Sequence, residues 1–175
     1  MIIGLSGKIS SGKSTVADFL VTKYGFKILS TRKLLTSILN SKNLEANRKN
    51  LQQMGKDLVS VVGAGGFIAI MLEYLPSGNY VLDSIRYTGA LNYLRKKYGS
   101  GYYHIHIISN DDLRYLRMKE KSDLGDSIDN MRIREMAETE LENEELGNQA
   151  DFHVTNEGSF EDLYSQLNQI CQQIL

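Results

Sequence analysis

The stretch Met1-Ile2-Ile3-Gly4-Leu5-Ser6-Gly7-Lys8-Ile9-Ser10-Ser11-Gly12-Lys13-Ser14-Thr15 decides how this chain folds. Its first five residues are apolar enough to form a buried strand, and Gly7 to Ser14 satisfies G-x-x-x-x-G-K-[ST] at every fixed position. Val16, Phe19 and Leu20 follow at helical spacing, so the motif stands between a strand and a helix. That frame gives the match its meaning. Glycines let the backbone bend tightly around a phosphate chain, and the helix start adds a fractional positive charge where those phosphates lie. In this P-loop Gly7, Lys8, Ser10, Ser11, Gly12, Lys13, Ser14 and Thr15 form the nucleotide cradle. Lys13 is expected to bridge the β- and γ-phosphates, the Ser14 hydroxyl to hold Mg²⁺, and Thr15 to contact the α-phosphate.

Further apolar runs at Phe26 to Leu29, Tyr80 to Leu82, Tyr102 to Ile108 and Phe152 to Val154 alternate with helix-length patterns. The alternation predicts an α/β fold: a five-stranded parallel sheet with helices on both faces, in the three-layer arrangement of P-loop NTPases. Between the second and third runs, Leu51, Met54, Leu58 and Val61 mark one stripe of a helix from about Asn47 to Val62. Gly63, Gly65 and Gly66 break it, and Phe67 to Leu75 restarts as a second helix near Pro76, the only proline. Asn110 is placed to cap a helix through Leu113, Leu116 and Arg117, followed by a polar stretch from Glu120 to Asn130 with few apolar anchors. Ser159 and Asp162 form a capping-box start for a last helix whose Phe160, Leu163, Leu167, Ile170 and Ile174 make a core-facing stripe.

Composition narrows the function. With 175 residues, 42% hydrophobic, the chain fits one domain with one core. Twenty basic residues against twenty-one acidic ones leave no whole-molecule field for nucleic acid. Cys171 is the only cysteine, which rules out an intrachain disulfide and fits a reducing, cytoplasmic setting. The start lacks a signal-peptide core and no stretch approaches the ~20 apolar residues of a membrane span, so a soluble protein is expected. His104 and His106 alternate on one strand face, but no third metal ligand lies near them in sequence. The acidic run Glu138 to Glu145 reads as a solvated helix face.

No N-K-x-D base-reading motif of guanine-specific switches occurs, and no run of four apolar residues leads into an Asp-Glu pair as in motor ATPases. The third strand instead ends Tyr80-Val81-Leu82-Asp83-Ser84-Ile85-Arg86, placing an acid and an arginine at the carboxyl end of a parallel strand, where ligands bind in open α/β sheets. Asp83 can hold the Mg²⁺ water shell or accept a proton from an acceptor group. Arg86 can clamp an acceptor phosphate with its two-pronged guanidinium.

Taken in order, the P-loop, LSTRKLL, NRKNLQQMGKDL, VLDSIR, DDLRYLRM and QADFHVTNEGSFEDL resemble the nucleoside-monophosphate-kinase-like group. That group includes dephospho-coenzyme A kinases, deoxynucleoside monophosphate kinases and archaeal adenylate-kinase-related proteins. The resemblance implies a single kinase-like domain with core segments 1–30, 78–112 and 150–175, acceptor-binding helices at about 31–76 and a lid at about 113–135. It implies that Arg32 and Arg48 grip the acceptor's phosphate. Arg114, Arg117, Arg132 and Arg134 would belong to the lid, with Arg117 and one of Arg132 or Arg134 swinging onto the transferring group. Asn156 and Gly158 would lie in the loop beside adenine. Thr31 stands where several relatives carry an aspartate, and Asp83-Ser84-Ile85-Arg86 stands for their D-G-[IV]-R, so the acidic role passes to Asp83.

The expected activity is transfer of the γ-phosphoryl group of ATP, with Mg²⁺, to a nucleoside monophosphate, a deoxynucleotide or a dephospho-coenzyme A-like acceptor. Lys13, Asp83, Arg86 and Arg117 are its catalytic candidates, and a monomer or homodimer is expected. The alternative is a nucleotide-sensing or regulatory ATPase whose output is a conformational change. An RNA or DNA end kinase is weakened by the missing basic stripe.

Overall fold

The computed structural model describes residues 1–73, 75–121 and 142–175. Strands β1 (Ile2–Ser6), β2 (Lys27–Leu29), β3 (Tyr80–Leu82), β4 (Tyr102–Ile108) and β5 (Phe152–Thr155) form one parallel sheet in the order β2-β3-β1-β4-β5. The strand carrying the phosphate motif is central, with Ile2 opposite Tyr80 on one side and Tyr102 on the other. β3 therefore lies immediately beside β1, so Asp83 follows the strand next to the one that leads into Gly7.

Alternation along β1 divides the core between the sheet's two faces. Ile3 and Leu5 pack with Val16 and Leu20 of α1 (Lys13–Tyr24) and Leu163 and Leu167 of the last helix. Ile2 joins the opposite cluster, with Phe67, Ile68, Leu91 and Leu94. Those residues come from α3 (Arg48–Leu72) and α4 (Thr88–Tyr98), while α2 (Thr31–Ser41) packs on α3. A short turn of 3₁₀ helix leads into β4; α5 (Asp111–Lys121), α6 (Asn143–Asn148) and α7 (Phe160–Ile174) complete the described elements.

Local chemistry accounts for the helix ends. Leu113 N–H donates to Asn110 Oδ1 at 2.9 Å, the cap expected for α5. At α7, Ser159 Oγ accepts from Asp162 N–H while Asp162 reaches back to Ser159 N–H, a complete capping box. Asn47 caps α3 in the same manner through Asn50 N–H.

The helix pair expected around the glycine cluster is present: α3 (Arg48–Leu72) consists of two helical halves meeting at a kink at Gly63 (φ 73°, ψ 163°), a conformation that favours glycine. Gly65 and Gly66 do not break it. A side chain at Gly65 would stand 3.0 Å from Tyr93 Cβ, so this residue lets α3 approach α4. Val61, expected in the buried stripe, is 81% exposed because it lies in the last turn before the break, beyond the reach of α2 and α4. The second half stops at Leu72 rather than Leu75. By length and composition, Arg48–Leu72 is apolar enough to cross a bilayer, with an 18-residue window of mean hydropathy 1.5; this corrects the expectation that no stretch comes close. The same helix is interrupted at Gly63, and its Arg48, Gln52 and Lys56 line a cavity.

Candidate active site

Between β1 and α1 the backbone takes the conformations the motif requires. Gly7 (φ 137°) and Gly12 (φ 106°) are left-handed, as is Ser10 (φ 61°). The loop is held by its carbonyls. Lys13 Nζ donates to Gly7 O at 2.5 Å and Lys8 O at 2.9 Å, Arg114 Nη1 to Ile9 O at 2.9 Å, and Asn156 Nδ2 to Ser11 O at 2.8 Å. Oxygens that would repel an anion are thus engaged, and the loop keeps its shape through long-range contacts as well as its own turns.

Two positions admit no side chain. A Cβ at Gly7 would lie 2.4 Å from Ile107 O, and one at Gly12 would lie 2.1 Å from Asn156 Nδ2. Gly12→Ala combines this clash with left-handed backbone strain, so it should cost about 2 kcal/mol or more and abolish stabilisation by Mg-ATP. Thermal melts with and without nucleotide check this; an unchanged melting temperature would contradict the geometry.

A cavity of about 660 Å³ opens over this loop. Ser10, Gly12, Lys13, Ser14 and Thr15 form one wall, and Arg117, Asn156 and Gly158 line it from the α5 and post-β5 sides. The loop expected beside adenine therefore faces the phosphate cradle. Gly7, Lys8 and Ser11 are not among its lining residues: Ser11 is buried, and the exposed Lys8 lies 3.7 Å from Asp111. Phe160, 61% exposed at the same cavity, offers a ring surface that sequence periodicity had assigned to the core.

Arg114 and Arg117, both expected in the lid, have different surroundings from each other. Arg114 is completely buried, bonded to Ile9 O and to Asp111 Oδ1 at 2.8 Å, so it props up the P-loop. The bond to Ile9 O ties the first turn of α5 to the loop. Arg117 lines the nucleotide cavity, with its guanidinium bonded to Ser109 Oγ at 3.0 Å and Asn156 O at 2.9 Å. Arg132, Arg134 and most of the polar stretch from Glu120 to Asn130 lie outside the described residues. So does the first half of the acidic run; of the remainder, Glu144 and Glu145 are exposed and Glu142 accepts hydrogen bonds from Thr88 N–H and Oγ1.

A second cavity, of about 480 Å³, lies under α2, α3 and the segment after β3. It brings together Thr31, Arg32, Arg48 and Arg86, four positions from three separate elements. Lys56, Gln52 and Tyr87 also line it and were missed by the sequence reading. The four-residue spacing of Arg48, Gln52 and Lys56, on the flank of the apolar stripe, was the available clue.

Asp83 is close enough to feel the charges of both Lys13, in the wall of the first cavity, and Arg86, in the wall of the second. Ser30 and the backbone of Thr31 also lie close enough to favour its ionised form. Ser30 precedes α2, and its side chain makes no capping bond. Burial dominates and raises the Asp83 pKa above the usual carboxylate range, opposed by Ser30, Thr31, Arg86 and Lys13. Among the described residues, Asp83 Oδ1 is buried without a hydrogen-bond partner. Thr31, where relatives carry an acid, lies beside Asp83 and lines the second cavity.

His104 and His106 lie beneath the loop. Ser6 Oγ is 2.7 Å from His104 Nε2 and 2.8 Å from His106 Nδ1, and the single hydroxyl proton lets it donate to one ring and accept from the other. Burial, reinforced by neighbouring positive groups, pushes His104 down to about 3 and His106 down to about 4. Both lie below the unfolded value of about 6.5, so the unfolded chain binds more protons across that interval. Their contribution to stability is present above pH 6.5 and is lost as pH falls through about 4. The melting temperature should fall between pH 6.5 and pH 4, and less steeply in His106→Gln; identical slopes for variant and wild type would contradict this.

A P-loop leading into a helix, a parallel sheet in this order, and an acid with an arginine after the neighbouring strand define a P-loop kinase-like fold. No family model matches the chain. It is 28% identical over its whole length to a UPF0200 protein of Methanocaldococcus jannaschii, covering 91% of that protein. It is 27% identical to a UPF0200/UPF0201 protein of Archaeoglobus fulgidus, of which it spans only about half (54%). Among solved structures it is similar to TT1252 from Thermus thermophilus (TM-score 0.71, 23% identity, all of this chain and 98% of that one). It also resembles dephospho-CoA kinase from Campylobacter jejuni (TM-score 0.58, 19% identity, 99% and 96% covered).

Proposed function

We propose that the chain is an ATP-dependent phosphotransferase whose acceptor is a nucleoside monophosphate, a deoxynucleotide or a dephospho-coenzyme A-like molecule, acting in the cytoplasm. One observation carries this reading: Asp83 feels the charges of both Lys13, which lines the P-loop cavity, and Arg86, which lines a second cavity with Arg32 and Arg48. A protein that only senses or hydrolyses nucleotide has no need of the second cavity.

The residues suit Mg²⁺. Ser14 lines the nucleotide cavity, and Asp83 presents a buried carboxylate oxygen without a protein partner, few enough ligands for a cation that keeps most of its waters and binds phosphates. When bound, Mg²⁺ supplies neutralisation of phosphate charge. The chain's own residues do the rest. The loop amides and Lys13 hold the donor, while Arg32, Arg48 and Arg86 orient the acceptor phosphate. Asp83, acting on the acceptor oxygen directly or through an ordered water, takes its proton as the new O–P bond forms and the bond to the ADP leaving oxygen breaks.

The test is ADP production with Mg-ATP across the common nucleoside and deoxynucleoside monophosphates and dephospho-coenzyme A. Acceptor-dependent turnover with a phosphorylated product is expected. Hydrolysis unaffected by every acceptor would overturn this reading and favour the regulatory ATPase.

A further inference from the structure

Gly55 has no explanation within the protein. It lies inside α3, where glycine is among the weakest helix formers, and it is absent from the residues of positive φ, so an L side chain fits its backbone. Nor does packing demand it. An added Cβ would meet only Leu35 Cδ1, at 3.5 Å, an ordinary contact. Gly65 in the same helix differs, since it is pressed against Tyr93 at 3.0 Å.

What Gly55 does face is the arginine-lined cavity. Leu51 and Val59 lie one turn before and one turn after it, so α3 presents a strip of bare backbone between two apolar side chains. Gln52 and Lys56 occupy the adjoining ridge and supply hydrogen-bonding groups at the strip's edge. Arg32, Arg48, Lys56 and Arg86 contribute four cationic groups, and no carboxylate occurs among the described lining residues. The cavity thus combines an anion-attracting end with a smooth apolar bed, a combination that a compact sugar acid or bare phosphate would leave unused.

We infer that Gly55 is a specificity-determining position: its missing side chain makes the seat for the planar ring of a ring-bearing phosphate monoester, whose polar edge meets Gln52 and Lys56. This rests on the reading of the cavity as the acceptor site and narrows the acceptor to a monoester carrying a heteroaromatic base. A methyl group at position 55 would occupy the ring's place while leaving the arginines untouched.

The experiment compares wild type with Gly55→Ala, using thermal melts and calorimetric titration of 5′-AMP, 5′-GMP, 5′-CMP, 5′-UMP and ribose 5-phosphate. Alanine should raise the melting temperature by about 2–4 °C, because the helix gains and nothing in the protein loses. Stabilisation by Mg-ATP should be unchanged. The base-bearing monophosphate that binds wild type best should bind the variant at least ~10-fold more weakly, as expected when a filled contact is overpacked. Ribose 5-phosphate should change by less than about twofold. A lower melting temperature, equal losses for ribose 5-phosphate and the nucleotide, or unchanged nucleotide binding would each overturn the role of Gly55 while leaving the acceptor site standing. A wild-type chain that binds no monophosphate in the panel would instead overturn the acceptor reading, and this inference with it.

Discussion

Lys13→Ala is expected to lower acceptor-dependent ADP formation by about 10³-fold, with the fold retained. The ammonium group is held across the mouth of the P-loop by Gly7 O and Lys8 O, so it is positioned before any phosphate arrives. A preorganised cation of this kind stabilises charge developing on phosphoryl oxygens without reorganising at the moment of transfer, and loss of one such donor costs on the order of 10²–10³ in rate. Weaker phosphate binding adds to the loss. Lys13 lies at the start of α1 and outside both core clusters, so the melting temperature without nucleotide should move little. A coupled ADP assay beside thermal melts separates the two effects. Activity within tenfold of wild type would show that the loop amides alone suffice and that the role given to Lys13 is wrong.

Asp83→Asn should be nearly as damaging to turnover, by about 10²–10⁴-fold, the range associated with a positioned acid–base group. The amide keeps the shape but loses the charge and most of the basicity. Its pH dependence carries more information than its size. Burial raises the Asp83 pKa, so the group becomes protonated at a higher pH than an ordinary carboxylate. Wild-type turnover should therefore have an acidic limb, with activity lost as pH falls through the Asp83 pKa, and the limb should be absent in Asp83→Asn. Because the folded value is raised, the ionised carboxylate works against stability at neutral pH. The asparagine variant should melt at or above the wild-type temperature there. A variant that loses both activity and stability would make Asp83 a structural residue rather than a reacting one.

These two residues differ in how plainly the sequence announces them. Lys13 belongs to a motif of eight consecutive residues, and its setting between strand and helix is visible within twenty. The expected cap at Asn110, the capping box at Ser159 and the five apolar runs are local in the same sense, because backbone geometry and side-chain periodicity act over a turn or a few residues. Asp83 and Arg86 were legible only as an acid and an arginine at a strand end. Their meeting with Lys13 depends on β3 lying next to β1, a pairing between segments almost eighty residues apart.

The same limit explains the differences. Arg114 and Arg117 are three residues apart on one helix, yet one is buried under the P-loop and the other lines the nucleotide cavity, because α5 turns those positions toward different neighbours. Val61 has the spacing of a core residue but lies beyond the helices that would cover it. Gly55 looked like any helix glycine until the space in front of it became visible.

By itself, then, the sequence determined the P-loop, the α/β class and the position of each strand, since these follow from short-range steric and hydrophobic rules. The tertiary structure alone decided that Thr31, Arg32, Arg48 and Arg86 share one cavity, that Asp83 feels both Lys13 and Arg86, and that bare backbone lines the cavity wall. Those facts depend on strand order and helix packing, which bring together residues whose separation along the chain carries no information about their distance in space.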